Sequence, residues 1–320
     1  MTKLLSFACL LFLFSINTFS QKIITTLDGE LPPEKPVTKW EKKNIIGFDI
    51  SENTFVNWNS GGTNSFSGLL KGNFSRILAS SNYNWDNELI VRYGLNKQDG
   101  LEVRKTEDAI QFNSTFGYRH NPTSNWFHSA KLNFKSQFSD GYKYPDKDNP
   151  VSKPFAPAYI FLGAGAEYAS KDKKIKLYIS PFTLKTTLVL DQTLADQGAF
   201  GVKKAVYDVD GNLILKGERS RDEFGFLFTS NFKSEIIKNV VVENRVSLYS
   251  DYINNFGNID VDYDLTVNLI VNQYIRTNIG AHILYDDDIK TKEKVDGEEV
   301  LRGPKTQLKQ VLGVGLVYDF

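Results

Sequence analysis

The chain has 320 residues, and its 38 lysines and arginines are matched by 38 aspartates and glutamates, so the formal charge is zero. That balance excludes the basic surface a nucleic-acid-binding protein needs, and the length allows one large domain or two ordinary ones. Aromatic residues reach 13%, with 23 Phe and 15 Tyr, yet the mean hydropathy is −0.32, which excludes a body of apolar helices and suits alternation of apolar with polar residues.

Lys3, the apolar run Leu4 to Phe14 and the small-x-small triplet Thr18-Phe19-Ser20 read as a signal peptide cleaved between Ser20 and Gln21. A membrane anchor would need roughly 18 apolar residues, and Ser15, Asn17 and Thr18 end the run early. A lipoprotein reading on Cys9, after Ser6-Phe7-Ala8, leaves an apolar core of only five residues. Cys9 is the only cysteine, so the exported chain is expected to hold together without disulfides. Residues 21–43, with Pro32-Pro33 and Pro36 among lysines and glutamates, read as an extended periplasmic linker. No later apolar stretch is long enough for a transmembrane helix, so any membrane span must be a strand in a closed barrel, where every backbone N–H and C=O is paired.

From Asn44 the hydrophobic period becomes two. Tyr83, Trp85, Leu89, Val91, Tyr93 and Leu95 share one face, with Asn84, Asp86, Glu88 and Arg92 on the other. Trp126, Ala130, Leu132, Phe134 and Phe138 oppose Ser129, Lys131, Asn133, Lys135 and Gln137. Val261, Tyr263, Leu265, Val267 and Leu269 oppose Asp260, Asp262, Asp264, Thr266 and Asn268. A helix would return its apolar residues at three and four, not two. About twelve such runs occur, near 44–57, 63–77, 83–95, 107–119, 126–138, 157–169, 175–190, 222–236, 240–252, 259–272, 275–286 and 307–320. They exceed the usual soluble strand of about 5–6 residues and cover the roughly 9–11 that a tilted transmembrane strand needs. One run changes parity, from Ile175, Leu177 and Ile179 to Phe182, Leu184 and Leu188, which predicts a bulge at Ser180-Pro181.

The connections alternate as well. Short turns are expected at Ser80–Asn82, His120–Asn125, Ser170–Lys174, Lys238–Asn239 and Gln273–Tyr274, and long loops at Asn96–Thr106, Asp140–Ala156, Asp191–Arg221 and Asp287–Lys305. Asp210-Gly211 and Asp296-Gly297 predict small hairpins inside two of these loops. Short turns at one end and long loops at the other mark an up-and-down antiparallel transmembrane β-barrel of about twelve strands, residues 44–320, in a Gram-negative outer membrane. The last run ends on alternating Leu312, Val314, Leu316, Tyr318 and Phe320. Such an ending suits capture by the outer-membrane assembly machinery through edge pairing.

The segment Asn57-Trp58-Asn59-Ser60-Gly61-Gly62-Thr63-Asn64-Ser65 resembles the N-W-x-x-G-G-x-N-S signature of a family of exported Bacteroidota proteins of unknown function. The resemblance implies an outer-membrane-like barrel and a Bacteroidota source, and it brings no substrate or catalytic residue. Asn57, Trp58, Gly61, Gly62 and Asn64 make either a hairpin turn with Trp58 in an aromatic girdle or a contact for a partner or ligand.

No catalytic site, metal site or cofactor is expected. His128 has lipid-facing parity and His120 lies in a turn, while His282 is on the inner face with Asp286 further along it. A hydrolase with a rim site near His282 is therefore an alternative, although no Gly-x-Ser-x-Gly elbow is present. Asp208-Val209-Asp210-Gly211-Asn212 echoes a calcium loop without its later bidentate Glu. Asp287-Asp288 read by default as a solvated loop, with a divalent ion or a lipopolysaccharide bridge as the other reading. The inner face offers Lys71, Arg92, Lys131, Lys135, Lys176, Lys185, Lys233, Arg245 and Arg276 against Asp86, Glu88, Glu167, Glu223, Glu235, Glu243, Asp251, Asp260, Asp262 and Asp264. A selective pore would carry one sign, so this mixture predicts ion pairs filling a narrow lumen, with Lys233 and Arg245 neutralising Asp260, Asp262 and Asp264. Inward Phe161, Tyr178 and Tyr249 narrow it further. The expected role is non-enzymatic: passage of small polar solutes, or a subunit of an envelope complex with a protein partner, amid outer-membrane lipid and lipopolysaccharide. A soluble periplasmic β-sandwich binding module is the structural rival.

Overall fold

The computed structural model describes residues 38–55, 63–254, 256–295 and 298–320. Signal peptide, cleavage site and most of the linker fall outside them, as do Asn57 to Gly62 of the signature and the Asp296-Gly297 turn.

Twelve antiparallel strands form a closed barrel. They are β1 Lys39–Asn53, β2 Ser65–Ala79, β3 Tyr83–Gln98, β4 Arg104–Tyr118, β5 Trp126–Ser136, β6 Ala158–Ala169, β7 Ile175–Leu188, β8 Ser220–Ile237, β9 Val240–Asp251, β10 Asp260–Ile270, β11 Ile275–Tyr285 and β12 Gln307–Asp319. Each strand pairs with the next in sequence, and β12 returns to β1 through six residue pairs from Ile45↔Asp319 to Ile50↔Val314. Closure removes the sandwich rival, because no barrel strand is left at an edge. Among the described residues no helix is long and apolar enough to cross a membrane.

The alternating runs form these strands because one face of each stays outside the barrel and the other turns inward. Leu70, Leu162, Phe182, Leu312 and Leu316 are exposed outward, whereas Asp49, Thr115, Ser129, Glu167, Lys185 and Glu223 are buried inward. A water-soluble protein inverts this order. Aromatic rings gather outside near the end that carries the start of β1 and the finish of β12. Trp40 and Trp85 lie 5.9 Å apart, Trp126 and Tyr168 5.2 Å, and Tyr318 and Phe320 5.4 Å. A second group lies toward the opposite, loop end, with Tyr93 on Phe138, Phe224 on Tyr252 and Tyr252 on Phe256.

The bulge falls where the parity change places it. Ile179 pairs with Ala166 and Phe182 with Ala164, so Ser180 and Pro181 together oppose Gly165. Pro181 therefore needs no ladder N–H, and Ser180 Oγ donates to the Ala164 carbonyl at 2.9 Å. Tyr178 before the bulge and Lys185 after it both turn inward despite opposite parity.

Three boundaries differ from the periodic reading. Strand β1 begins at Lys39 instead of Asn44, since Lys39–Lys43 pair with β2 although all but Trp40 are charged. Strands β3 and β4 run on to Gln98 and back from Arg104, so the connection expected to be long is short. The loop at 189–219 is not an open excursion. It holds a helix, Gln192–Asp196, and a small hairpin, Val206–Tyr207 with Leu213–Leu215, turned at Gly211 with φ +83°. Val189, Leu194, Ala195 and Val202 of this loop share a core with Ala156 of the 137–157 loop.

Candidate functional site

Polar parity delivers charged side chains to the lumen, and the barrel is narrow enough for them to meet across it. Arg245 on β9 reaches Glu88 on β3 at 3.4 Å. These strands stand six places apart in a ring of twelve, on opposite walls. Glu88 also accepts from Asn73 at 2.9 Å and from Asn113 at 3.2 Å. Arg245 Nε donates to Glu243 at 2.6 Å, and Glu243 in turn holds Lys233 at 2.8 Å. In the same layer Lys176 on β7 pairs with Asp86 on β3, and Asn84 on β3 donates to Glu167 on β6 at 3.1 Å.

The middle layer is part ionic and part aromatic. Lys135 on β5 reaches Asp262 on β10, five places round the ring, at 2.9 Å. His282 Nε2 lies 2.8 Å from the other oxygen of the same carboxylate. Phe161, Tyr178, Leu227 and Tyr249 pack together inside, with Phe161 edge-on to Tyr249 at 5.7 Å. Lys131 donates to Thr229 at 3.0 Å, with its ammonium 5.1 Å from the centre of the Tyr178 ring.

The loop-end layer is the most acidic. Lys185 on β7 holds Asp260 on β10 at 2.7 Å, with Glu223 at 3.4 Å and Asp286 at 3.8 Å. Arg221 holds Asp288 at 2.7 Å. On the opposite wall Glu107 on β4 accepts from Lys309 on β12 at 2.6 Å and faces Arg92 at 3.7 Å. Asp49 accepts from Lys71 at 2.6 Å and from Asn278 at 3.3 Å. The folded 189–219 loop sits on this layer. Gly201, with φ +81°, has Arg221 Nη1 2.9 Å from where a Cβ would stand. Lys153 ties the cap down by donating to Asp191 at 2.8 Å. Partial burial raises the Asp191 pKa, but Lys153 and the Leu194 N–H outweigh it and hold the carboxyl below its usual range. The same bond raises the Lys153 pKa.

Several expected inner residues thus meet, though with different partners. Lys233 and Arg245 do not neutralise the β10 aspartates. Asp260 goes to Lys185 and Asp262 to Lys135 and His282, while Asp264 accepts from Thr266 on its own strand at 3.1 Å. Arg245 lies directly opposite Asp264 in register, yet its guanidinium is drawn to the two glutamates. Glu235 caps the Asn239 N–H of a turn, and Asp251 binds the Ile253 and Asn254 N–H groups of its own loop. Arg276 lies half-buried on β11, opposite Gly315. His282 bonds to Asp262 and not to Asp286, so it belongs to the lumen network. Asn64 closes the β1–β2 connection by accepting from the Phe55 N–H at 2.6 Å and donating to Asp99 at 2.8 Å. In the calcium-like stretch, Asp208 Oδ1 accepts from the Asp210 and Asn212 N–H groups, which makes it a hairpin turn. Asp287 and Asp288 are half-buried instead of solvated, as is Asp286 beside them. Asp49, Glu107, Lys309 and Arg221 were absent from the expected set. Asp49 carries the inward parity between Phe48 and Ile50 and could have been found by it.

A closed twelve-strand antiparallel barrel with an apolar exterior and a lumen crossed by ion pairs of mixed charge is the class these features define. The model of a family described as a protein of unknown function (DUF3078) matches residues 50–142, from the end of β1 into the loop after β5. None of the curated proteins matches. Among solved structures, the COG4313 outer membrane channel from Pseudomonas putida F1 is similar at 11% identity and a TM-score of 0.40, over 93% of this chain and 100% of that one. The translocator domain of autotransporter NalP from Neisseria meningitidis gives 10% and 0.34, over 86% and 87%. A Pseudomonas aeruginosa FadL homologue gives 11% and 0.31, over 90% and 91%. The likeness is one of barrel architecture alone.

Proposed function

We propose that this chain is a non-enzymatic outer-membrane barrel whose lumen is occluded by its own side chains, and that it serves as a membrane-anchored subunit of an envelope complex and not as a solute pore. The observation that carries the reading is the Arg245–Glu88 pair joining opposite walls. An ion pair across the full width divides the lumen at that level, and the buried Tyr178, Leu227 and Tyr249, with Phe161 packed against them, narrow the layer beyond it. The apolar outer face between two aromatic zones supports a membrane setting. The short turns would then face the periplasm and the capped loop end the outside, amid lipopolysaccharide. The β12 strand would be the one read by the assembly machinery, and the signature at 57–65 would mark a Bacteroidota source.

Gentle detergent extraction followed by identification of co-purifying proteins tests the role. A reproducible stoichiometric partner in the outer-membrane fraction is expected. Recovery of the intact chain alone, in the soluble periplasmic fraction, would contradict both membrane setting and role.

A further inference from the structure

We infer that the loop-end mouth binds a hard divalent cation of the calcium class between Asp260, Asp286 and Asp287. One carboxylate oxygen from each of these residues lies within 4.8 Å of the others. Strand register builds the row. Tyr249 on β9 stands directly opposite Asp260 on β10, and Asp286 follows Tyr285, the last residue of β11, which pairs with Val261. Asp287 then folds over the row, its N–H donating to Asp260 at 3.3 Å and its carboxylate accepting from Asn258 at 2.7 Å. Asp260, Asp287 and Tyr249, though not Asp286, line one small cavity with room for about a single water-sized occupant.

A second feature points into the same cavity. Tyr249 is 3% exposed, and its hydroxyl has no hydrogen-bond partner among the described residues. A buried hydroxyl left so is costly unless something in the cavity meets it. The cavity is too small for an organic ligand, and the carboxylates in its lining outnumber its one cation, Arg221, which favours a cation over an anion. The oxygen-only donors, carboxylates with a phenolic hydroxyl, suit calcium or magnesium and not the metals that prefer nitrogen or sulfur. Ligands drawn from the start of β10 and from the loop after β11 suit calcium, which tolerates uneven geometry, better than magnesium, which demands a near-ideal octahedron. Lys185 already contacts Asp260 and Asp286, and its ammonium opposes an incoming cation. Affinity is accordingly expected to be weak, on the order of 10⁻⁴–10⁻³ M, as in extracellular calcium modules.

The test is calorimetric titration of the intact, detergent-folded chain with calcium chloride against potassium chloride of equal ionic strength. Saturable binding of a single calcium is expected, weakened about tenfold by Asp287→Asn, measurably weakened by Tyr249→Phe, and unchanged by Asp264→Asn, which lies deeper in the lumen. Absence of saturable binding by the native chain would overturn the site, a result that needs no variant to fold. So would equal affinity in Asp287→Asn, or a loss in Asp264→Asn as large as in Asp287→Asn, since general charge screening would then explain the heat.

Discussion

At the scale of single residues, lumen partners are chosen by reach and not by register. Arg245 could have bonded Asp264 beside it, but Glu88 and Glu243 offer two carboxylates to one planar guanidinium. Replacing Arg245 with Met strips both glutamates of that partner and is expected to destabilise the barrel by about 2 kcal/mol, within the range for hydrogen bonds to charged groups. The shift in the urea midpoint of the protein folded in lipid vesicles measures it, and an unchanged midpoint would mean the pair holds nothing together. Asp262→Lys sets a third basic group against Lys135 and His282 and is expected to lower the same midpoint. Outside the barrel, the Asn212 side chain and N–H hold the exposed Asp208 carboxyl below its ordinary pKa. The hairpin turn is therefore fully supported above the unfolded Asp value of about 3.9 and loses that support as pH falls through the lower, folded value. The Asn212 amide resonance should stay put at neutral pH and move only in acid. Parity alone was enough to point Lys135, Asp260 and Asp262 inward. Their partners were not legible, because which walls touch depends on how far the barrel narrows.

Among the elements, strand β7 shows how a local irregularity is built into the sequence. A proline among apolar residues and a change of parity announce the bulge, and Gly165 on the neighbouring strand completes it. A Cβ on Gly165 would collide with the Ile179 carbonyl, so Gly165→Ala is expected to cost about 3 kcal/mol or to block folding, an overpacking effect. Heat-dependent mobility on gels checks this, and a fully heat-modifiable variant would show that the bulge has slack. Strands were legible because a period of two is imposed by the two faces of a barrel wall. The loops were not, for no such rule governs them. The Asp191–Arg221 segment reads as a long loop with a hairpin at Asp210-Gly211, yet Val189, Leu194 and Val202 also fold it into a cap with Ala156. Asp287-Asp288 likewise read by default as solvated, yet Asp287 donates its N–H to Asp260 and Asp288 pairs with Arg221, which only the fold of the β11–β12 loop decides.

For the whole molecule, a barrel is a container whose contents decide its use. Twelve strands could enclose an aqueous path, but here opposite walls are joined through Arg245–Glu88 and Lys135–Asp262, with aromatic packing between. The near-equal counts of acid and base were the sequence's own sign of such a lining, because pairs need both partners while a selective pore needs one. Planar-bilayer recording of the purified, refolded chain tests this most directly. The account predicts no steady unitary current from the native protein, and measurable current once Arg245, Lys135 and Phe161 are together replaced by serine, serine and alanine. A stable ohmic conductance from the native barrel would contradict it.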